Sequence, residues 1–240
     1  MNDPYKTLKE EAFEANLEIP RQGLAIYTWG NASAFDRDRG VFAIKPSGVA
    51  YRELSAGAMV VVDSEGAVVS GAGNPSSDTE THRVLYLSFA GIRGIAHTHS
   101  VYAAAFAQAL RDVPVFGTTH ADHCAGDVPC TALIGEEAVR NNYEEGTGRL
   151  IVETLKDRGK DPLLLPMVLV GGHGPFTWGS SPEQAVYHAA VLEEVCKMAY
   201  LTLNLNPAAQ SLPQHIIQKH WDRKHGPSAT YGPLRPLRGF

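Results

Sequence analysis

The sequence predicts one α/β domain over residues 1–240, with a central, largely antiparallel mixed sheet flanked by helices. Apolar runs of strand length are interleaved with helical patterns along the chain, and no linker, repeat or low-complexity segment divides it. Hairpin-like stretches in the first third favour antiparallel pairing over a doubly wound parallel sheet. The 240 residues are 44% hydrophobic and 20% charged, which is ordinary for a protein with a sizeable core.

In the first half of the chain, turn and cap residues separate the predicted elements. Asp3 and Pro4 are an N-cap and a proline at the first helical position, so we expect a helix that begins there and ends before Pro20. Short runs rich in β-formers, bounded by glycine or proline, then predict strands. These elements are a β-rich segment over 27–33, a strand over 40–44, a hairpin of 59–63 with 67–69, and a helix over 79–89.

The second half continues the alternation of strands and helices. A strand around Ile95 is expected to end at two histidines, and an alanine-rich helix follows it. Val113 to Phe116 is interpreted as a buried strand, and residues 226–240 are interpreted as a C-terminal tail. The other predicted elements are helices over 100–110, 144–158, 182–203 and 213–224 and a strand over 166–170.

Charge, hydropathy and cysteine content limit the partners and the cellular compartment that we expect. The formal net charge is -5, so no basic field would attract nucleic acid or an anionic membrane. No apolar run approaches the roughly 18 residues needed to span a bilayer. The first residues lack a signal-peptide layout, and Cys124, Cys130 and Cys196 form no Cys-x-x-Cys pair. We therefore expect a cytoplasmic protein with neither nucleic acid nor membrane as partner.

His97 and His99 are the strongest local signal for function. If their segment is extended, the two imidazoles project from one face of a strand and can bind a divalent metal. His173, between two glycines after an apolar strand, is a third ligand candidate, and three histidines leave the open position of a catalytic metal site. The alternative is two unrelated histidines near a strand end, one capping and one exposed.

Two serine- and glycine-rich loops indicate an anion site. Lys45, Ser47 and Gly48 lie in one loop, and Ser76 with Ser77 lie in the other, just before a predicted helix. Hydroxyls, a lysine and backbone N–H groups at a helix start are typical of a phosphate cradle. Ordinary turn chemistry is also rich in serine and glycine, and the stretch is not a P-loop.

Two aspartates and one tyrosine are candidate functional residues, although their residue types also occur at many ordinary surface positions. Asp78 could supply an oxygen ligand or hold a ligand from behind, although the residues alone favour an ordinary N-cap. Asp122 follows the predicted strand 113–116, and Tyr231 lies alone in the irregular tail. Either of these two could act as a general acid or base.

Six motifs, taken together, resemble the L-ribulose-5-phosphate 4-epimerase branch of the class II aldolase and adducin superfamily. They occur in the order and approximate spacing of that branch, and the resemblance extends from about residue 6 to Tyr231-Gly232, close to the full length. The motifs are Thr28-Trp29-Gly30-Asn31-Ala32-Ser33, Ile44-Lys45-Pro46-Ser47-Gly48, Pro75-Ser76-Ser77-Asp78-Thr79, His97-Thr98-His99-Ser100, Gly117-Thr118-Thr119-His120-Ala121-Asp122 and His173-Gly174-Pro175-Phe176.

The resemblance implies a role for each motif. It implies a catalytic zinc, one per subunit, for which Mn²⁺ or Co²⁺ could substitute, and a four-fold homotetramer in which the tyrosine and the late histidine come from a neighbouring subunit. The implied metal residues are Asp78, His97, His99 and His173. The implied residues of the substrate pocket are Asn31, Lys45, Ser47, Gly48, Ser76, Ser77, Thr118 and His220, with Asp122 and Tyr231 as the acid/base pair.

The reaction implied by the resemblance interconverts the phosphorylated pentuloses L-ribulose 5-phosphate and D-xylulose 5-phosphate. C4 of this substrate is not acidic, so inversion requires cleavage of the C3–C4 bond and re-addition, with a divalent metal holding the developing negative charge. The resemblance implies carbohydrate metabolism and leaves arabinose, ascorbate and other pentose routes open. Residues 233–240 extend past the usual end of the branch, which leaves the packing of the tail open.

Three other readings compete with the epimerase. A fuculose- or rhamnulose-phosphate-like aldolase would share the metal and the bond cleavage. Asp78 and the Tyr231-Gly232 ending favour the epimerase, because aldolase relatives carry glutamate at the position of Asp78. Amidohydrolases also use His-x-His, but their barrels are usually longer and place it on the first strand. A non-catalytic adducin-like interaction domain need not keep the metal ligands, all of which are present here.

Overall fold

The computed structural model describes residues 3–226 and 229. Within these residues the strands are β1 Asn31–Asp36, β2 Val41–Ile44, β3 Val60–Asp63, β4 Val68–Ser70, β5 Gly94–His97, β6 Met167–Val170 and β7 Gly174–Gly179. The α-helices of the same residues are α1 Lys6–Arg21, α2 Thr79–Ser88, α3 Val101–Gln108, α4 Thr118–Ala121, α5 Glu136–Asn141, α6 Tyr143–Asp157, α7 Pro182–Leu205 and α8 Gln214–His225. Apart from Gly226 and Ala229, the predicted tail lies outside the described residues.

The strands form one sheet in the order β4-β3-β2-β1-β5-β7-β6. Every neighbouring pair is antiparallel, which confirms the predicted α/β class with a largely antiparallel sheet. The parallel contribution among the described residues is an isolated bridge between Cys130 and Leu169. In the middle of the sheet, His97 of β5 pairs with Asn31 of β1 on one side and with Phe176 of β7 on the other.

Helices cover both faces of the sheet because side chains alternate across each strand. Ala32 of β1 and Ala96 of β5 face α1 and α7, where they pack in one buried cluster with Ile19 and Ala189. Ile95 lies on the other face, in the main core cluster that includes residues of α2, α3 and α6. His97 is two residues further along β5 than Ile95, so it shares the face that packs against α2.

Two predicted element boundaries and one predicted strand are wrong. Helix α1 continues through Pro20 to Arg21, because a proline in the last turn removes little hydrogen bonding from a helix that is about to end. Residues 113–116 form only an isolated bridge from Val113 to Val128 and no strand of the sheet. Strand β1 begins at Asn31, because Tyr27 and Gly30 have φ angles of 55° and 78°, outside the extended region.

Strand β7 and the two short helices α4 and α5 were not predicted from the sequence. The proline at position 175 argues against a central strand, since proline lacks the N–H that a ladder uses. Pro175 nevertheless lies in β7 opposite Leu169, and its carbonyl accepts a hydrogen bond from Thr98 N at 3.4 Å. The other predicted helices and strands agree with the structure to within a few residues. No helix among the described residues is long and apolar enough to cross a membrane.

Candidate metal centre and anion pocket

The three predicted metal histidines lie together at one end of the sheet. His97 ends β5, His99 follows two residues later, and His173 lies in the turn before β7. One ligand nitrogen from each ring lies within 4.8 Å of the others, and the Nε2 atoms of His97 and His99 are 3.0 Å apart. Zinc binds imidazole nitrogens at about 2.0–2.1 Å in a tetrahedron, which sets two ligand nitrogens roughly 3.4 Å apart, so a small approach of the three rings would let them share one ion.

Strand β7 orients the His97 ring. The Nδ1 atom of His97 lies 2.9 Å from the carbonyl oxygen of Pro175. Because a carbonyl only accepts, Nδ1 carries the proton, and the lone pair of Nε2 is left facing His99. The Phe176 ring stacks on the His97 ring with centroids 4.2 Å apart. The imidazole is therefore held in the tautomer and orientation that a metal ligand needs.

Glycines on both sides allow His173 to approach the other two rings. Gly172 has a φ of 71°, and a Cβ on Gly174 would lie 2.7 Å from the carbonyl oxygen of Thr98. The His173 Nδ1 atom is buried and has no hydrogen-bond partner among the described residues. A buried polar atom without a partner is costly, and a metal ion would relieve that cost.

Burial keeps the three imidazoles neutral. Desolvation lowers the pKa of His97 and His99 and lowers the pKa of His173 to about 4. Neutral imidazole is the form that binds metal. The donor set, the distances and the partnerless nitrogen therefore fit a divalent metal such as zinc.

Asp78 lines the same cavity as the three histidines, but among the described residues its carboxylate is not part of their cluster of ligand atoms. It occupies the N-cap position of α2, but its side chain makes no capping hydrogen bond, so the N-cap role favoured by the sequence is wrong for the side chain. Its Oδ2 atom accepts a 2.6 Å hydrogen bond from Asn31 Nδ2. Burial opposes ionisation of Asp78, but the hydrogen bond from the Asn31 amide helps to lower its pKa overall.

A buried polar group lies behind Asp78. His82 follows Asp78 by one helical turn, and its Nδ1 atom is 2.7 Å from Ser33 Oγ, which is also 2.7 Å from the Tyr86 hydroxyl. The other ring nitrogen of His82 is buried without a partner among the described residues. Burial lowers the pKa of His82 to about 3, so the ring is neutral. His82 was not predicted as a site residue. It stands four residues after Asp78, a spacing that brings two side chains together on one face of a helix.

A cavity of about 440 Å³ adjoins the histidines. Three loops line it together with the three rings, and they contain six of the predicted pocket residues. The lining loops are residues 28–31, 45–48 and 76–78. The predicted metal and phosphate groups therefore face one continuous space, although they lie far apart in the sequence.

Lys45 is a buried cation that has no anionic partner in the part of the chain that the structure describes. Its side chain is 2% exposed, and among the described residues it makes none of the ion pairs. Its ammonium group lies 5.2 Å from the centre of the Tyr51 ring, and burial lowers its pKa. A buried charge is normally paired, so an unpaired lysine on a cavity wall points to an anionic ligand.

Backbone hydrogen bonds link the two serine loops and change the predicted cradle. The amide of Ser47 donates to Asn74 O, and the amide of Ser76 donates to Lys45 O. These two amides are therefore already used, so the anion would be held by Lys45 and the serine hydroxyls more than by backbone groups. Gly48 has a φ of 72°, which glycine adopts without strain.

Asp122 and His220 lie together, but outside the cavity lining. Asp122 follows α4, and its carboxylate accepts hydrogen bonds from His220 Nδ1 at 3.0 Å and from Arg223 Nε at 2.9 Å. Partial burial opposes ionisation, but the bonds from Arg223 and His220 lower the pKa of Asp122 overall. Thr118 begins α4, and none of Thr118, Asp122 and His220 lines the cavity formed by the described residues. Tyr231 lies outside the described residues.

Two further residues near the site were missed by the sequence analysis. Trp29 is half exposed at the cavity, and its ring lies 6.3 Å from that of His99. Glu193 of α7 accepts hydrogen bonds of 2.9 Å from the amides of Tyr102 and Ala103, so it caps α3 directly after the metal histidines. The Trp29 motif was visible in the sequence, whereas nothing local connects Glu193 with residue 102.

Comparisons with known proteins identify relatives over nearly the whole chain. The family described as Class II Aldolase and Adducin N-terminal domain matches residues 10–200. The L-ribulose-5-phosphate 4-epimerase UlaF of Salmonella paratyphi C (strain RKS4594) is 49% identical over 225 residues, covering 94% of this chain and 98% of the relative.

Solved structures share the fold at lower identity. A structure of L-fuculose 1-phosphate aldolase aligns with a TM-score of 0.76 at 23% identity, covering 93% of this chain and 97% of the other. The L-fuculose-1-phosphate aldolase of Thermus thermophilus aligns with a TM-score of 0.63 at 24% identity, covering 85% of this chain and 98% of the other. At this identity the likeness shows the fold alone.

Proposed function

Because the chain belongs to the class II aldolase and adducin family, we propose that it is an L-ribulose-5-phosphate 4-epimerase, which interconverts L-ribulose 5-phosphate and D-xylulose 5-phosphate. One observation carries the proposal: three neutral histidines line the same cavity as a buried lysine that has no ion pair within the described residues. The substrate needs both groups, one near its C2 and C3 oxygens and one at its phosphate. The name of the 49% identical relative supports this choice of substrate.

The proposed chemistry breaks and remakes one carbon–carbon bond. Removal of the proton on the C4 hydroxyl lets the C4 carbonyl form while the C3–C4 electron pair moves into the enediolate of dihydroxyacetone. The other product is glycolaldehyde phosphate, which turns and accepts the same electron pair on its opposite face. A divalent metal, when bound to the histidines, supplies a Lewis acid for the negative charge on the enediolate oxygens.

The residues around the cavity hold the two fragments. Lys45, with the hydroxyls of Ser47, Ser76 and Ser77, would bind the phosphate and keep the aldehyde from escaping while it turns. Gly48, which adopts its φ of 72° without strain, lines the cavity beside Ser47.

On the metal side of the cavity, we propose that Asp78 completes the metal site beside His97, His99 and His173. Asn31 would hold the carboxylate of Asp78 through their hydrogen bond, and its Oδ1 atom, which has no partner among the described residues, would be available to the substrate. We propose zinc as the metal, one per subunit, with Mn²⁺ or Co²⁺ as substitutes, because imidazole and carboxylate ligands accept all three.

Proton transfer is assigned to Asp122 and Tyr231, one for each face of the aldehyde. A lowered pKa keeps Asp122 ionised at neutral pH, so it can accept a proton. Thr118 and His220 are assigned to the substrate near the aldehyde. Because Asp122 and His220 do not line the cavity of their own chain, these groups would act on the cavity of a neighbouring subunit.

The proposed assembly is therefore a homotetramer with active sites at the subunit interfaces. Exposed apolar side chains on α7 support self-association, since such patches often mark interfaces; Leu201 is 47% exposed and Leu205 is 89% exposed. We further propose a cytoplasmic location, supported by three free, buried cysteines. The single domain over 1–240 stays a prediction.

The proposal is tested by incubating the purified protein with L-ribulose 5-phosphate, with and without a chelator. We expect D-xylulose 5-phosphate to form, activity to fall after chelation, and Zn²⁺ to restore it. Release of free dihydroxyacetone without any epimer would instead show an aldolase. A protein that contains no metal and converts nothing would favour the adducin-like interaction domain.

A further inference from the structure

Tyr51 contacts two segments of the cavity wall, the Trp29–Gly30 backbone and Lys45. It begins a short 3-10 turn, Tyr51–Glu53, directly after the loop that contains Lys45, Ser47 and Gly48. Its side chain is 7% exposed and does not itself line the cavity. Burial raises the pKa of the Tyr51 phenol, so the hydroxyl remains a hydrogen-bond donor.

The hydroxyl of Tyr51 holds the backbone just before β1. It lies 2.8 Å from Trp29 O and 3.0 Å from Gly30 O, so its single proton is shared between two carbonyls. Gly30 has a φ of 78°, and a Cβ there would lie 2.7 Å from His97 O. The next residue is Asn31, which binds Asp78. The hydroxyl therefore fixes the segment from which Asn31 reaches the metal side of the cavity.

The ring of Tyr51 faces the buried lysine. The Lys45 ammonium lies 5.2 Å from the ring centre, within the roughly 6 Å at which an aromatic face attracts a cation. Since Lys45 makes no ion pair among the described residues, the ring is the group that stabilises its charge in the free protein. Desolvation increases the strength of such a contact.

We propose that Tyr51 is a positioning residue for the anion pocket, whose ring orients the Lys45 ammonium and whose hydroxyl holds the Trp29–Gly30 backbone. This inference rests on the proposed function, because the anion in question is the substrate phosphate. The two actions are separable. The ring governs phosphate affinity through Lys45, and the hydroxyl governs the placement of Asn31.

If Tyr51 had only a structural role, a different result would be expected. Tyr51 packs in a buried cluster with Ile19, Leu24 and Ala32, so its loss would lower the free energy of unfolding in either case. A residue that only fills the core would leave the phosphate affinity of the folded protein unchanged. The decisive measurement is therefore binding by folded protein, checked by circular dichroism.

The experiment measures the Kd of inorganic phosphate by calorimetry for the metal-loaded protein. Two variants at position 51 are compared, Tyr51→Phe and a variant with pentafluorophenylalanine in place of Tyr51. The two rings have a similar shape, but fluorination reverses the electrostatic potential of the ring face. We expect the pentafluoro variant to bind phosphate roughly 2- to 30-fold more weakly than Tyr51→Phe. Tyr51→Phe itself should keep the phosphate Kd and lower kcat/KM. Tyr5→Leu removes a comparable ring beside Arg39 and should leave phosphate binding unchanged.

The outcomes separate this inference from the proposed function. Equal phosphate Kd values for Tyr51→Phe and the pentafluoro variant would overturn the action of the ring, and an unchanged kcat/KM for Tyr51→Phe would overturn the action of the hydroxyl. In both of these cases the anion pocket itself would stand. Failure of the unsubstituted protein to bind phosphate would overturn the pocket, and the inference with it.

Discussion

Asn31 Nδ2 donates a 2.6 Å hydrogen bond to the Oδ2 atom of Asp78. Asn31 is also the residue of β1 that pairs with His97 of β5. The bond therefore connects the carboxylate at the start of α2 with the strand that ends at His97, one of the three proposed metal ligands. It explains why Asp78 lines the cavity of the histidines although it occupies a helix N-cap position.

Replacing Asn31 by alanine should weaken metal binding. The Asp78 carboxylate would lose its donor while remaining buried, and changes of this kind behind a metal site typically cost about 10- to 100-fold in affinity or activity. Competition with a chromophoric chelator measures the affinity. Asn204→Ala, which removes a hydrogen bond to Tyr200 O on α7, is the matched control. A zinc affinity equal to that of the control would show that the bond does not support the metal site.

Lys45→Met should chiefly weaken the binding of phosphorylated sugars. The change removes the buried positive charge and keeps an unbranched side chain one heavy atom shorter, so we expect KM to rise roughly 10- to 100-fold. Lys9→Met is the control, because Lys9 is also buried but bonds to Asp3 and Ser70 away from the cavity. Steady-state kinetics with L-ribulose 5-phosphate and with unphosphorylated ribulose decide the matter. Equal use of the two sugars by the unsubstituted protein would contradict the phosphate site.

Tyr231→Phe should retain folding and metal and reduce kcat by about 100-fold or more, because a positioned acid or base contributes on that scale. If Tyr231 acts on a neighbouring subunit, co-expression with the metal-site variant His97→Asn should restore activity. Random mixing of equal amounts would complete roughly a quarter of the sites. Hybrids that stay as inactive as the two parents would place Tyr231 within its own subunit, and an unchanged kcat in Tyr231→Phe would exclude it from proton transfer.

Stability should fall as the pH falls from about 6.5 toward 4. Burial lowers the pKa of His120 and His188 to about 4 each, whereas both have a pKa near 6.5 when unfolded. In this window the unfolded chain binds protons that the folded chain does not, so the free energy of unfolding decreases by on the order of 1–3 kcal/mol per histidine.

Urea denaturation of the metal-free protein at several pH values checks this expectation. His188→Asn should reduce the pH dependence, since the Asn amide can still donate to Trp178 O in place of the His188 Nδ1 atom. The same pH dependence in this variant would show that His188 does not contribute.

Local patterns predicted much of the metal centre. His97 and His99 stand two residues apart after an apolar run, and His173 stands between glycines that its turn requires. The hairpin β3–β4 and the ends of α2, α6 and α7 also follow from turn and cap residues close in sequence. These features depend on neighbours along the chain, which a sequence displays directly.

Features that depend on distant residues were not predictable in this way. Strand β7 includes Pro175 because its neighbours β5 and β6 supply the pairing, and this overrides the local preference. The direction of Asp78 depends on Asn31, 47 residues away. The supporting role of Tyr51 depends on carbonyls 21 and 22 residues earlier. Residues 113–116 have the apolar pattern of a strand. Val113 and Val115 are indeed buried, but the segment packs in the core without joining the sheet.

We propose that epimerisation proceeds by cleavage of the C3–C4 bond, and the fate of the hydrogen on C4 distinguishes this route from deprotonation at C4. L-Ribulose 5-phosphate with deuterium at C4 is incubated with the protein, and the D-xylulose 5-phosphate that forms is analysed by NMR. Because the C4–H bond never breaks in the proposed reaction, the account predicts that the product retains its deuterium in full. Replacement of the deuterium by hydrogen from water would contradict the account, because inversion would then proceed by deprotonation at C4.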